Sequence, residues 1–128
     1  MKYFICSLIS ENHSIGNCLL GIPSEHTERI ILASRTQTII YETENEDFYI
    51  SIPVLLKLKD QSAHHGLILK SKTTLLLPRI DVELEIPEEE IKTLPKALEE
   101  IFCYFRGVYF SSNMILILEP EKLLEYVE

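Results

Sequence analysis

The sequence is poor in the residues that mark several functional classes. It has four glycines, three cysteines and no apolar run near the roughly 20 residues of a membrane-spanning helix. Its sparse glycines form no phosphate-cradling loop. Lys and Arg number 12 against 20 Asp and Glu, so the net charge is −8. This balance argues against a nucleic-acid partner, and the missing apolar run argues against direct membrane insertion.

What remains is the composition of one folded domain. The chain has 128 residues, of which 46% are apolar and 25% charged. A chain of this length buries about two-thirds of the surface that it exposes when unfolded, which is enough for a hydrophobic core. We therefore predict a single domain over residues 1–128. The amino terminus has one Lys before a short apolar segment and no small-residue cleavage site, so we expect a first strand there rather than a secretion signal.

The cysteines Cys6, Cys18 and Cys103 are an odd number at wide spacing, and all three lie among apolar neighbours. A thiol in such surroundings usually behaves as a small hydrophobic group. We expect all three to be reduced and buried in a cytoplasmic protein. Because burial disfavours the thiolate, the pattern also argues against a catalytic cysteine.

Alternation of apolar and polar residues predicts a mainly β chain. Every even position from 48 to 58 is apolar, which predicts one strand with a single buried face and with Pro53 at an edge or bulge. Segment 80–86 places four aliphatic side chains on one face and three solvated carboxylates on the other. Shorter apolar segments predict strands at 18–22, 38–41, 66–69, 74–77 and 114–118. We expect about nine or ten strands, at the spacing of a sandwich or barrel.

Helix is predicted in two places only. Residues 95–105 carry apolar side chains at helical spacing in one stripe, and Gly107 would follow the end of that helix. A second helix is predicted from Pro120 to Val127, with Glu119 near its positive end. Polar segments predict connections at 12–17, 42–47, 60–65 and 111–113.

No constellation of residues indicates catalysis. His64 and His65 would point to opposite faces of a strand, and no further pair at metal-ligand spacing accompanies them, so we interpret them as a polar loop. A nucleophile motif of the form Gly-x-Ser-x-Gly is missing from the sequence. The acidic segments 42–47 and 88–90 are interpreted as solvated surface or as a docking patch for a basic partner. We therefore expect no metal and no cofactor.

Several segments nevertheless form a recognisable series. The second half reads TLLLPRI at 74–80, VELEIP at 82–87, FRGV at 105–108 and MILILEPEKLL at 114–124. The first half adds GIP at 21–23 and IPVLL at 52–56. The series resembles CheW-like domains, the adaptors of bacterial chemotaxis arrays.

The resemblance implies a mainly β fold of two small five-stranded SH3-like β-barrel subdomains with a C-terminal helix, and no catalysis. Family members bridge the cytoplasmic tip of a receptor and the regulatory domain of a CheA-type histidine kinase. They use surfaces on the barrels and the groove between them. For this chain we expect partner-binding residues at Ile52, Pro53 and Val54 on one strand face, and at Arg106 and Gly107 on the second barrel.

The chain departs from the family pattern in several places. Where the family carries Leu-Arg-Gly, segment 41–47 has four acidic residues and neither Arg nor Gly. This change would oppose a partner surface built to meet an arginine. In the second-strand region only Ile30 of the family pattern remains, and Pro78 stands where the family has Asp.

Three functions stay open at this point. The first is a divergent adaptor of chemotaxis-type signalling, with the kinase domain and receptor tip as partners. The second is a structural or inhibitory subunit that pairs with itself or with another CheW-like domain through an exposed strand. The third is a small enzyme that uses Cys103 or the pair His64 and His65, which a fast-reacting thiol near neutral pH would indicate.

Overall fold

The computed structural model describes residues 1–8, 18–58, 60–99 and 103–127. Within these ranges the chain forms ten strands: β1 Lys2–Ser7, β2 Cys18–Pro23, β3 Thr27–Thr36, β4 Tyr41–Glu44, β5 Asp47–Ser51, β6 Ser62–Leu69, β7 Thr73–Leu77, β8 Arg79–Glu85, β9 Phe105–Phe110 and β10 Met114–Leu118. The described helices are α1 Ile52–Leu55, α2 Lys96–Glu99 and α3 Pro120–Val127. Short 3₁₀ turns lie at Ser24–His26 and Glu88–Glu90.

The strands form two sheets of five strands each. Sheet A has the order β8-β1-β2-β10-β9, and sheet B has the order β3-β6-β7-β5-β4. Each sheet contains one parallel pair, β2 with β10 in sheet A and β5 with β7 in sheet B. The predicted fold class is confirmed: the chain is mainly β, with two five-stranded sheets and a small C-terminal helix.

One hydrophobic core joins the two sheets. Sheet A contributes Leu20 and Ile22, and sheet B contributes Ile50 and Leu75, all fully buried in one cluster. Leu123 of α3 is buried in the same cluster, which places the C-terminal helix against the shared core. The opposite face of sheet A buries a second, smaller cluster, formed by Tyr3, Ile5, Ile86, Ile115 and Ile117.

Burial decreases from the middle of sheet B toward β3. Ile50, Leu75 and Leu67 are aligned across β5, β7 and β6, and all three are fully buried. Ile30 of β3 continues the same row and is 41% exposed. Leu32 lies two residues after Ile30 on the same strand, pairs with His65 of β6, and is 85% exposed. The shared core therefore ends before β3, and the outermost strand presents its aliphatic side chains to solvent.

The strand predicted over 48–58 is wrong beyond Ser51, where α1 begins. The Ser51 hydroxyl oxygen accepts a hydrogen bond from the Val54 backbone N–H at 3.2 Å, which caps the helix. Pro53 lies in the first helical turn, where its missing N–H costs nothing, and not at a strand edge. The alternating pattern predicted a strand here, but Ile52 and Leu55 are buried three residues apart in a helical turn.

The strand predicted at 38–41 begins only at Tyr41. The Gln37 side-chain amide donates to the backbone carbonyls of Ile39 and Ile40, at 2.9 and 3.2 Å, and holds them in a bend. The connection predicted at 42–47 is instead a hairpin of β4 and β5. Its turn is formed by Asn45 and Glu46, which both have positive φ, the requirement of a type I′ turn.

The connection predicted at 60–65 is wrong from Ser62 onward, where β6 begins. His64 and His65 therefore lie in a strand rather than in a polar loop. The connection at 111–113 is confirmed as the bend between β9 and β10. The connection predicted at 12–17 lies outside the described residues.

The helix predicted after Pro95 is confirmed at Lys96–Glu99, and positions 101 and 102 of its stripe lie outside the described residues. Phe105 begins β9 instead of extending the helix, and Gly107 lies inside that strand rather than at a helix end. The C-terminal helix is confirmed at Pro120–Val127.

Candidate protein-interaction surfaces

A groove of about 250 Å³ lies between β8, the edge strand of sheet A, and β3, the edge strand of sheet B. Its lining is Phe4, Ile30, His65, Ile80, Asp81, Val82 and Glu83. Four of these seven side chains are aliphatic or aromatic. An exposed apolar groove with a polar rim is typical of a protein-interaction site.

The β8 wall of the groove differs from the sequence prediction. Segment 80–86 was expected to bury its aliphatic face, but Val82 is 58% exposed and Leu84 is 39% exposed. The reason is the position of β8 at the edge of sheet A, paired only with β1 in the described part of the chain. Val82 lines the groove together with Ile30 of β3, so both sheets contribute apolar side chains to it.

The carboxylates of β8 are not merely solvated. Asp81 forms an ion pair with Arg79 at 2.5 Å. Glu83 accepts a hydrogen bond from the Ser24 hydroxyl at 2.7 Å. Among the described residues, no cationic side chain lies within 4.0 Å of the Glu83 carboxylate. Glu83 therefore places an uncompensated negative charge on the groove wall.

The two adjacent histidines are separated by the strand that carries them. His64 is exposed, whereas His65 is partly buried and lines the groove. The Nδ1 atom of His65 is buried without a hydrogen-bond partner in the described part of the chain. No group of three or more His, Cys, Asp or Glu side chains among the described residues is placed to hold a metal ion.

A second apolar surface lies at the other edge of sheet B. We call it the hairpin patch and define it by Ile39, Tyr41 and Phe48. Ile39 is 55% exposed and Phe48 is 38% exposed. The rings of Tyr41 and Phe48 stack with centroids 5.8 Å apart. The hairpin patch and the groove lie on different strands and share no residue.

Arg35 connects the two end strands of sheet B through its side chain. From β3 its guanidinium contacts Glu44 of β4 at 2.6 Å and Glu42 at 3.7 Å. It also lies over the Tyr49 ring, 4.2 Å from the centroid. Two of the four carboxylates in segment 41–47 are therefore paired with a cation within the chain.

We expect Arg35→Ala to lower the free energy of unfolding by about 1–2 kcal/mol, because it removes both an ion pair and a cation–π contact. The amides of β4 should also exchange faster. Chemical denaturation and hydrogen exchange measure the two effects. The control is Lys122→Ala, which removes only an exposed pair with Glu119 and should cost at most about 0.5 kcal/mol. Equal effects of the two variants would contradict the role given to Arg35.

The partner-binding residues expected on α1 are mostly covered. Ile52 and Pro53 are buried, and Val54 is partly buried. The helix packs against β7 in the shared core. Of this group only Val54 reaches the surface.

The Arg106 side chain is exposed on β9, but its guanidinium already interacts with other residues of the chain. Its guanidinium forms an ion pair with Glu88 and donates to the Tyr3 hydroxyl oxygen at 3.3 Å. The Tyr3 hydroxyl in turn donates to Glu88 at 2.8 Å. The hydrogen bond from Arg106 holds the pKa of Glu88 below its usual value, while burial raises the pKa of Tyr3. Arg106 therefore fixes the 3₁₀ turn at Glu88–Glu90 against sheet A.

This network predicts an acid-dependent contribution to stability. Folding lowers the pKa of the Glu88 carboxyl group from its ordinary value of 4.5. The ionised carboxylate therefore stabilises the folded protein fully above pH 4.5, and this stabilisation is lost as the pH falls through the lowered pKa. We expect Glu88→Gln to be less stable than the wild type at neutral pH, with the difference shrinking below pH 4.5. Urea unfolding between about pH 7 and about pH 3 measures it. Glu89→Gln, exposed in the same turn, is the control, and a pH-independent difference for Glu88→Gln would contradict the network.

Gly107 is buried in β9 beside the backbone of Lys92. Lys92 and Val108 exchange two backbone hydrogen bonds of 2.8 Å, which bring the chain before α2 onto β9. A Cβ at Gly107 would overlap the carbonyl oxygen of Lys92. This position therefore permits a close approach of two backbone segments and presents no side chain to a partner.

The cysteines differ from the prediction of uniform burial. Cys6 is fully buried, and its burial raises the pKa of its thiol. Cys103 is exposed, because it lies in the turn before β9 and not on a buried helix face. The side chain of Cys18 lies outside the described residues.

We expect native-state thiol labelling to modify Cys103 readily and to leave Cys6 protected until the protein unfolds. Timed labelling followed by mass spectrometry of the peptides measures both rates. A peptide with the sequence around Cys103 is the reference for an ordinary exposed thiol. Rapid labelling of Cys6 would contradict its burial, and labelling of Cys103 far faster than the peptide would favour the enzyme hypothesis.

No helix among the described residues has the length and apolar character needed to cross a membrane.

The fold has a counterpart among solved structures. The chain is similar to the scaffolding protein TtCheW from Thermoanaerobacter tengcongensis, with a TM-score of 0.65 over 91% of this chain and 87% of that chain. The sequence identity is 14%, so the likeness establishes the fold. No family model and no curated protein matches the sequence. The protein therefore has a CheW-like fold.

Proposed function

We propose that the protein is a non-catalytic adaptor of chemotaxis-type signalling and a divergent member of the CheW-like family. It would act in the cytoplasm and couple the cytoplasmic tip of a receptor to the regulatory domain of a CheA-type histidine kinase. The observation that carries the proposal is a pair of exposed apolar surfaces, the groove and the hairpin patch, at opposite edges of sheet B. An adaptor needs two surfaces that partners can occupy at the same time.

The chemistry-bearing residues support binding rather than catalysis. His64 and His65 are directed to opposite sides of β6. Cys103 lies in a different part of the fold, in the turn before β9. Cys6 is enclosed by the shared core. These groups do not converge on one cavity.

The residues expected from the resemblance divide into two groups. Val54 and Arg106 reach the surface and are proposed as partner contacts. Ile52, Pro53 and Gly107 are proposed to act by supporting those contacts, since they are buried. Charge reversal at Arg106 should weaken binding by about 1 kcal/mol or more if it lies in the centre of an interface.

Sedimentation velocity with the kinase regulatory domain and the receptor tip from the same source tests the proposal. We expect a binary complex with each partner and a ternary complex with both. Leu32→Ser beside the groove and Phe48→Ser in the hairpin patch are the matched variants, since both side chains are exposed. Each should lose one partner and keep the other. Failure to bind either partner, or mutual exclusion of the two, would contradict the adaptor function.

The open edges of β3 and β8 favour a second candidate, a structural or inhibitory subunit that pairs with itself or another CheW-like domain. Light scattering over a range of concentrations tests self-pairing. A dimer that Leu32→Ser abolishes, without binding to kinase or receptor, would replace the adaptor proposal. A strict monomer at high concentration would count against self-pairing.

A further inference from the structure

The two walls of the groove have different chemistry. The β3 wall is aliphatic, with Ile30 in the lining and the 85% exposed Leu32 next to it on the same strand face. The β8 wall carries Asp81 and Glu83. Because Asp81 is already paired with Arg79, Glu83 is the charge that the described residues leave open to a partner.

We propose that Glu83 makes the groove selective for a partner helix that carries Lys or Arg beside an apolar stripe. The inference rests on the proposed function, because it describes what the adaptor's groove accepts. The apolar stripe would pack on Ile30 and Leu32, and the cation would pair with Glu83 across the groove.

The geometry favours a helix over an extended segment. The side chains on one face of a strand form a single row, so an extended segment would place that row against one wall of the groove at a time. A helix places residues three and four positions apart on one face and sets charged residues along the border of that face. It therefore presents both kinds of side chain at once to the two walls.

The charge of the chain favours a cationic partner and disfavours a second copy. The net charge is −8, so two copies would repel each other at long range. A self-pairing that filled the groove from both sides would also bring acidic β8 walls together. A helix with Lys or Arg at the border of its apolar stripe is attracted by the same field.

Two synthetic amphipathic peptides test the proposal. Both carry Leu at i, i+3, i+4 and i+7, and they differ only in Lys or Glu at the border positions. Amide shifts of the labelled full chain report affinity and location. We expect the Lys peptide to shift residues of β3 and β8 and to bind more tightly than the Glu peptide, with a difference that shrinks as salt is raised.

Three variants make the outcome decisive. Glu83→Gln should lower the affinity for the Lys peptide about five-fold, near the upper end for the loss of one exposed ion pair. The affinity for the Glu peptide should stay unchanged or rise. Glu46→Gln removes the same charge at the β4–β5 turn and should change nothing. Leu32→Ser should weaken both peptides, and its exposure makes a folding defect unexpected.

Equal binding of the two peptides, no binding of either, or an unchanged affinity in Glu83→Gln would overturn the selectivity. So would shifts in β3 and β8 that appear with protein concentration and without peptide, since a second copy would then fill the groove. If the selectivity fails while the ternary complex with kinase and receptor forms, the adaptor function stands. If the Lys peptide binds as expected and no ternary complex forms, the selectivity stands and the adaptor function fails.

Discussion

Replacing Gly107 by Ala is expected to lower the free energy of unfolding by about 3 kcal/mol, at the upper end for overpacking a buried position. The new methyl group would overlap the backbone carbonyl oxygen of Lys92. This oxygen accepts a hydrogen bond from Val108, and the Lys92 N–H donates to the Val108 carbonyl. The methyl group can be accommodated only by moving backbone, which would lengthen both hydrogen bonds.

Gly21→Ala is the matched control for this prediction. A Cβ at Gly21 would meet the side-chain ends of Ile117 and Ile115, at 3.0 and 3.2 Å. These flexible groups can move by a few tenths of an ångström, so we expect a cost of about 1 kcal/mol. Urea unfolding of both variants gives the comparison. Equal costs would show that the contact between Lys92 and β9 is looser than described.

Leu75→Ala is expected to cost about 2–5 kcal/mol, the usual range for truncating a buried leucine. Leu75 is fully buried in the central strand of sheet B, between Ile50 and Leu67. It belongs to the core that joins both sheets. We propose that residues 1–128 form one domain, and in that case the loss should be shared by sheet A.

Native-state hydrogen exchange of Leu75→Ala measures both the size and the spread of the effect. Slow amides of β1 and β2 in sheet A should lose as much protection as those of β6 and β7 in sheet B. Val82→Ala, at an exposed edge position, is the control and should stay within about 0.5 kcal/mol of the wild type. A loss of protection confined to sheet B would contradict a single domain and would show two independently unfolding units.

The sequence predicted the fold well where local pattern and tertiary position agree. The strand at 114–118 is covered on both faces, by the second cluster at Ile115 and Ile117 and by the shared core at Leu118, and its apolar run matches that environment. The C-terminal helix has Pro in its first turn and an apolar face on the shared core, so its pattern also matches its surroundings. Resemblance to CheW-like domains supplied the division into two subdomains, which no local pattern contains.

The predictions failed where a side chain or an edge position overrides the pattern. A hydrogen bond from Val54 to the Ser51 hydroxyl starts α1 inside an alternating segment. The exposed aliphatic side chains of Val82 and Leu84 depend on the place of β8 in the sheet order, which a single strand's sequence does not encode. Periodicity cannot distinguish an edge strand from a central one.

The candidate site was predicted only in part. Arg106 was recognised as exposed, but its ion pair with Glu88 joins positions 18 residues apart and leaves no local signal. The groove was missed as a set of residues, since Phe4, Ile30 and Glu83 come from three distant segments. The one available signal was β3 itself, where Ile30 and Leu32 share one face and Ile31 and Ala33 lie on the other.

We propose that this chain binds a kinase and a receptor through surfaces on the edges of its sheets. The measurement that tests it most directly is an amide-shift titration of the labelled chain with the regulatory domain of a CheA-type kinase from the same source. We predict saturable shifts that include either the groove residues of β3 and β8 or the hairpin patch. No shifts at high concentration, or shifts spread evenly over both subdomains without saturation, would contradict the claim and leave a CheW-like fold that has another role.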